Sequence, residues 1–139
     1  MILSHKGTNV LTVEPTATIG YAVKYLAEHG IGALVVVGAE GRTIGIISER
    51  DIVRAVSNHG AAALDMPVSE VMTRKVVSCA KQDKLVDLMQ QMTTGHFRHM
   101  PVLEDGRLIG IISIGDVVKR RIEQVEQEST QLREYIRSA

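Results

Sequence analysis

The sequence predicts an α/β (α+β) protein: two βαββα repeats packed as one pseudo-two-fold module, followed by a C-terminal amphipathic helix. Three observations predict it. The stretch TIGIISERDIVRAV (43–56) returns 65 residues later as LIGIISIGDVVKRR (108–121), and nine of the thirteen positions from Gly41 to Val53 match those from Gly106 to Val118. Apolar spacing switches between helical and strand-like periods in the same order in both halves. The chain is 45% hydrophobic but only 3% aromatic. Its core is therefore made of Val, Ile, Leu, Ala and Met, which suits a sheet covered by helices.

Each repeat opens with a short apolar strand, Val10 to Val13 or Val76 to Ser78, and a polar turn, EPTAT or AKQD. A helix follows. Ile19, Ala22, Val23, Leu26 and Ala27 fall at 3–4 spacing, as do Leu85, Leu88, Met89 and Met92. Gly30 and Gly95 stand where a C-cap is expected. A continuous apolar strand comes next, ALVVV or HMPVL, then a hairpin turn, GAEGR or EDGR, and a third strand, TIGIIS or LIGIIS. Upstream of the hairpins the copies align at the same offset, with HGIGALVVV (29–37) over TGHFRHMPV (94–102). Units this small bury little surface alone, so the two are expected to pack together, joined by AALDMPVSEVM (62–72).

Sixteen basic residues balance sixteen acidic ones. A protein that grips a nucleic-acid backbone usually carries a basic excess, so nucleic acid is not expected as a partner. No apolar run is long enough to span a membrane. The first residues, MILSHKGTNV, lack the pattern of a secretory signal. The single cysteine, Cys79, cannot form an internal disulfide. A cytoplasmic location is the expectation.

The repeated Ser and Asp have two readings. Ser48 and Ser113 stand where a strand runs into a helix, with Asp51 and Asp116 three residues on. That is the spacing of a capping box, which satisfies otherwise orphaned helical N–H groups. The same place, a helix N-terminus at a strand edge, suits phosphate, and an exposed carboxylate there accepts hydrogen bonds from a ribose diol. Ile46, Ile47, Ile111 and Ile112 offer an apolar wall for a base. Capping leaves Gly45 and Gly110 unexplained, since glycine inside a strand marks a close approach of backbone or ligand.

GHFRHMPV adds His96, Phe97, Arg98 and His99 before a strand, a combination suited to a phosphate-bearing, ring-bearing ligand. The first repeat has no basic residue at the corresponding positions, so the two sites should differ. Adjacency in sequence assigns Arg98 and His99 to the Asp116 side, and Asp116→Ala is expected to cost more binding than Asp51→Ala. His96 and His99 alone are too few for a metal site. Cys79 has no catalytic partner at motif spacing and reads as a small buried apolar residue. There is no P-loop and no G-x-G-x-x-G, and no case for an enzyme. From Asp116 to about Arg137, Val118, Ile122, Val125, Ser129, Leu132 and Ile136 follow a 4-3-4-3-4 pattern. That stripe either packs on a partner chain or lies back on its own module.

The paired GIIS-x-x-D endings, RHMPVLEDGRLIGIIS, VSEVMT (68–73) and HGIGALVVVGAEGRTIGIISERDIVRA resemble a tandem pair of CBS (cystathionine β-synthase-type) domains, over about residues 8 to 123. The resemblance divides the chain into CBS domains at 8–60 and 71–123, a linker at 61–70 and a helical extension at 124–139. It implies a regulatory module whose clefts bind adenosine-containing ligands: AMP, ADP, ATP, NAD(H) or S-adenosylmethionine. It also implies a homodimer and a regulated partner protein. Carried over by position, Asp51 and Asp116 would hold ribose hydroxyls, and Ser48 and Ser113 ribose or phosphate. Arg98, His99 and Arg50 would meet phosphate from one or both clefts. Leu11, Val76, Ile31, Gly32, Ala33, Phe97, Ile46 and Ile111 would line the adenine pockets. The competing expectation is a structural or interaction module with empty clefts.

Overall fold

The computed structural model describes residues 11–138. Val10, the expected start of the first strand, lies outside them. The first repeat holds β1 (Thr12–Val13), α1 (Ile19–His29), β2 (Ala33–Val37), β3 (Thr43–Ser48) and α2 (Glu49–His59). β1 runs parallel to β2, and β2 is antiparallel to β3. Thr18 caps α1 by accepting from the Tyr21 N–H, and Gly30 ends it in the left-handed conformation, φ 60°. Ile19, Ala22 and Leu26 form its buried stripe. They pack on Leu34, Val36 and Ile47, enclosing one core.

The second repeat holds α4 (Leu85–Gly95), β4 (His99–Glu104), β5 (Arg107–Ser113) and α5 (Ile114–Ser138). Leu88, Met92, Met100, Val102, Ile112 and Val117 enclose a separate core. The strand expected over Val76 to Ser78 does not form. Only Cys79 pairs with β4, donating to the Pro101 carbonyl at 3.0 Å and accepting from the Leu103 N–H at 2.8 Å. The next rung of a parallel ladder would need an N–H on Pro101, and proline has none.

The copies are not in register throughout. Ala33 pairs with Ser48, and His99 pairs with Ser113. The offset is thus 66 at the first strand of each hairpin (99 − 33) and 65 at the second (113 − 48). One extra residue sits in the first hairpin, where Gly38 to Arg42 make a short 3-10 turn. The second hairpin turns tightly through Asp105 and Gly106, φ 51° and 77°. The shift also moves the helix caps. The counterpart of Gly30 is His96, at φ 56°, while Gly95 is the last residue of α4. Gly95 is needed for another reason: a Cβ there would collide with the Phe97 ring.

The connector packs on the first repeat. Its single helical turn, α3 (Val68–Val71), puts Val68 and Met72 into the first core. Thr73 and Ile46 then exchange two backbone hydrogen bonds, 3.0 and 2.8 Å. This explains Gly45, because a Cβ there would stand 2.7 Å from Met72 Sδ and 2.8 Å from the Thr73 oxygen. The close approach is the chain's own backbone.

α5 packs on α4 and β5 at its start, with Val117 buried. It then continues free of its own module: Ile122, Val125, Leu132 and Ile136 are 53, 46, 60 and 64% exposed. The stripe therefore does not lie back on the chain. Among the described residues no helix is long and apolar enough to cross a membrane.

Candidate functional site

A cleft of about 310 Å³ lies where the two repeats meet. The first repeat contributes the start of α2, with Ser48, Glu49, Arg50, Asp51 and Arg54, together with Gly32 and Ile46. The connector supplies Thr73, Lys75, Val76 and Val77. The second repeat supplies Gly95, His96, Phe97, Arg98 and His99. Arg50 spans the two, donating to the His96 carbonyl at 3.4 Å.

At the floor lies Asp51, the one charged or polar side chain among the described residues that is buried, at 5% exposure. It belongs to a complete capping box. The Asp51 N–H donates to Ser48 Oγ at 3.3 Å, and the Ser48 N–H donates to Asp51 Oδ2 at 3.0 Å. Ser48 Oγ donates to the same Oδ2 at 3.0 Å. Thr73 Oγ1 donates to Oδ1 at 3.1 Å, and the Arg54 guanidinium stands 3.6 Å away. The carboxylate is thus enclosed, where the sequence reading has it exposed. Both lone pairs of Oδ2 are taken, and Oδ1 keeps one site beyond Thr73. Asp116 and Ser113 repeat the capping arrangement, at 2.9, 2.8 and 3.2 Å, with Asp116 half-buried.

Arg50, Arg54, Lys75 and Arg98 oppose only Glu49 and Asp51 around the cleft, and His96 and His99 add ionisable rings. Together with the N-terminal end of α2, these cations favour an anionic group. Ile46, Val76 and Phe97 give the cleft an apolar side.

The structure therefore brings Ser48, Arg50, Asp51, Gly32, Ile46, Val76, Phe97, Arg98 and His99 to one cleft. It leaves six expected positions out. Leu11 and Ile31 pack against the first core, and Ala33 is buried in β2. Ile111 and Ser113 lie on β5, and Asp116 in the first turn of α5. The assignment of Arg98 and His99 to the Asp116 side is corrected here. His99 is the ladder partner of Ser113, yet both side chains line the cleft that holds Asp51. The basic pair that adjacency in sequence gives to Asp116 thus also serves the cleft that holds Asp51.

Sequence reasoning missed Thr73, Lys75 and Val77, which approach only through the folding of the connector. Arg54, one helical turn beyond Asp51, is the one addition that periodicity signals. Cys79 is buried outside the cleft, and burial, with the Asp83 charge second, pushes its thiol up to about 11. Such a thiol is inert at neutral pH.

The chain matches the family model for the CBS domain twice, over residues 6–58 and 68–123. It is 40% identical over 113 residues to an uncharacterized 17.7 kDa protein of Acidianus ambivalens, covering 81% of this chain and 67% of that one. Its fold superposes with a TM-score of 0.84 on the crystal structure of the CBS-domain containing protein ATU1752 from Agrobacterium tumefaciens. The two are 52% identical, over 86% of this chain and 95% of that one. The CBS domain pair of protein MJ0100, solved in complex with 5'-methylthioadenosine and S-adenosyl-L-methionine, is 25% identical. It superposes with a TM-score of 0.75 over 84% of this chain and 90% of that one. Duplicated sheet-and-helix units, a charged cleft between them and these likenesses lead to one conclusion: the chain belongs to the CBS-domain family, as a tandem pair.

Proposed function

We propose that this chain is a non-enzymatic regulatory module that binds an adenosine-containing ligand in the cleft between its repeats. The carrying observation is the meeting of Asp51 and the α2 N-terminus with Lys75, Arg98, His96 and His99 from beyond the first repeat. The cations take phosphate, the carboxylate takes a ribose hydroxyl, and Ile46, Val76 and Phe97 flank the base. The adenosyl ligands of the MJ0100 pair support the class. Four cations against two carboxylates favour phosphate-bearing members, AMP, ADP, ATP or NAD(H), over S-adenosylmethionine. In this reading the domains are 8–60 and 71–123, the chain works in the cytoplasm, and a partner protein reads the ligand-dependent state. Two copies form the working unit.

Titration calorimetry with AMP, ATP, NADH and S-adenosylmethionine tests the reading. Phosphate-bearing ligands are expected to bind at the Asp51 cleft. If none binds more tightly than about millimolar, or roughly −4 kcal/mol, the reading fails. One observation favours a second reading, a module that works with its clefts empty. The capping box satisfies Ser48 and, together with the Thr73 hydroxyl, accounts for three of the four acceptor sites of Asp51 without any ligand.

A further inference from the structure

We propose that the free part of α5 pairs with the α5 of a second copy as a parallel, in-register, two-stranded coiled coil. The inference goes beyond ligand binding and holds whether or not the cleft is filled. Every residue from Gln124 to Ser138 is exposed in the single chain. A helical stretch of that length gains little in water without a packed face. The 4-3-4-3-4 stripe puts Ile122, Ser129 and Ile136 at one core position of a heptad and Val118, Val125 and Leu132 at the other. Ile122 and Ile136 at the first position with Leu132 at the second suit two parallel strands, Val118 and Val125 at the second do not add to that preference, and one polar residue, Ser129, sets the register.

The flanking charges choose the orientation. In a parallel pair each residue preceding the first core position meets the partner residue five further on. That sets Arg121 against Glu126 and Glu128 against Arg133, twice each by symmetry, all opposite in sign. An antiparallel pair centred on the same stripe sets Lys119 against Arg133, Glu126 against Glu126 and Glu128 against Glu128, all alike in sign. Opposite pairing thus selects the parallel arrangement and a second copy of this chain as its occupant.

Cysteine cross-linking in the full-length chain tests this. The buried, poorly ionised Cys79 does not compete for oxidant. Ile122→Cys and Leu132→Cys are each expected to form a disulfide-linked dimer alone in a glutathione redox buffer, because each position faces itself in a parallel pair, whereas the antiparallel pair sets 122 against 132. Cross-linking only when the two variants are mixed means antiparallel pairing and overturns the proposal. No cross-linking in any combination overturns the second copy as occupant and leaves the stripe to another protein's helix. Circular dichroism checks that each variant is folded. Sedimentation gives an independent readout. Glu126→Arg is expected to raise the dimer dissociation constant several-fold, and adding Arg121→Glu to restore it. Failure of the second reversal to restore it refutes the charge pairing.

Discussion

Gly45→Ala adds a single methyl group to β3, at the point where the connector crosses it. That methyl would stand 2.7 Å from Met72 Sδ and 2.8 Å from the Thr73 oxygen. Met72 is buried and Thr73 is held by two backbone bonds to Ile46, so neither yields without loss. Overpacking a filled site costs about 1–3 kcal/mol. Lifting the connector instead gives up two hydrogen bonds worth roughly 0.5–1.5 kcal/mol each. Against this, alanine restricts the unfolded chain and returns about 0.4–1 kcal/mol. The net expectation is a destabilisation of about 1 kcal/mol, read as a lower urea midpoint with an unchanged slope. Gly32→Ala serves as the control. Its added Cβ meets His99 at 3.5 Å and Glu49 at 3.7 Å, ordinary contacts, so its midpoint should hold or rise slightly. A Gly45→Ala midpoint equal to or above that of the parent would refute the reasoning, since the connector would then not be tightly seated on β3.

Other substitutions separate binding from stability. Asp51→Ala should weaken nucleotide binding more than Asp116→Ala in calorimetry, by about tenfold or more if one charged hydrogen bond of roughly 1.5–3 kcal/mol is lost. Equal losses would show that Arg98 and His99 serve both repeats. His96→Gly should raise stability by about 0.5–1 kcal/mol, because φ 56° strains a side chain but not glycine. The same change should weaken phosphate binding, and a variant both less stable and equally tight would contradict both expectations. Cys79 should react with iodoacetamide at pH 8 about a hundred times more slowly in the native protein than in the unfolded one. A thiol near 11 rather than 9.0 holds about a hundredth of the thiolate there. Comparable rates would place the thiol in solvent.

Local signals carried the elements, and long-range ones were silent. The helical period of Ile19, Ala22 and Leu26 and the Ser–Asp spacing at 48 and 51 are written within a few residues. α1, α2 and both caps could therefore be read directly. The missing strand at Val76 to Ser78 depends on what Pro101 lacks, more than twenty residues away. The one-residue slip between the copies hides in a hairpin whose two versions are both ordinary turns. It made Arg98 look like the counterpart of Ala33, when its place matches Gly32. The cleft suffered most from this, because its walls come from three separated segments. Lys75 carries no motif, Thr73 enters only as the last residue of VSEVMT with no role attached, and only the seating of Val68 and Met72 brings them beside Asp51.

Thr73 joins two tasks that are usually kept apart. Its backbone fastens the connector to β3, and its hydroxyl occupies the carboxylate at the floor of the cleft. A diol that binds Asp51 through both hydroxyls has one acceptor site on Oδ1 open to it, and must take the other from Thr73. Occupancy and the grip of the connector therefore draw on the same pair of electrons. For such a ligand, filling the cleft competes directly with the Thr73 hydroxyl for Asp51, with no need of a relay between them.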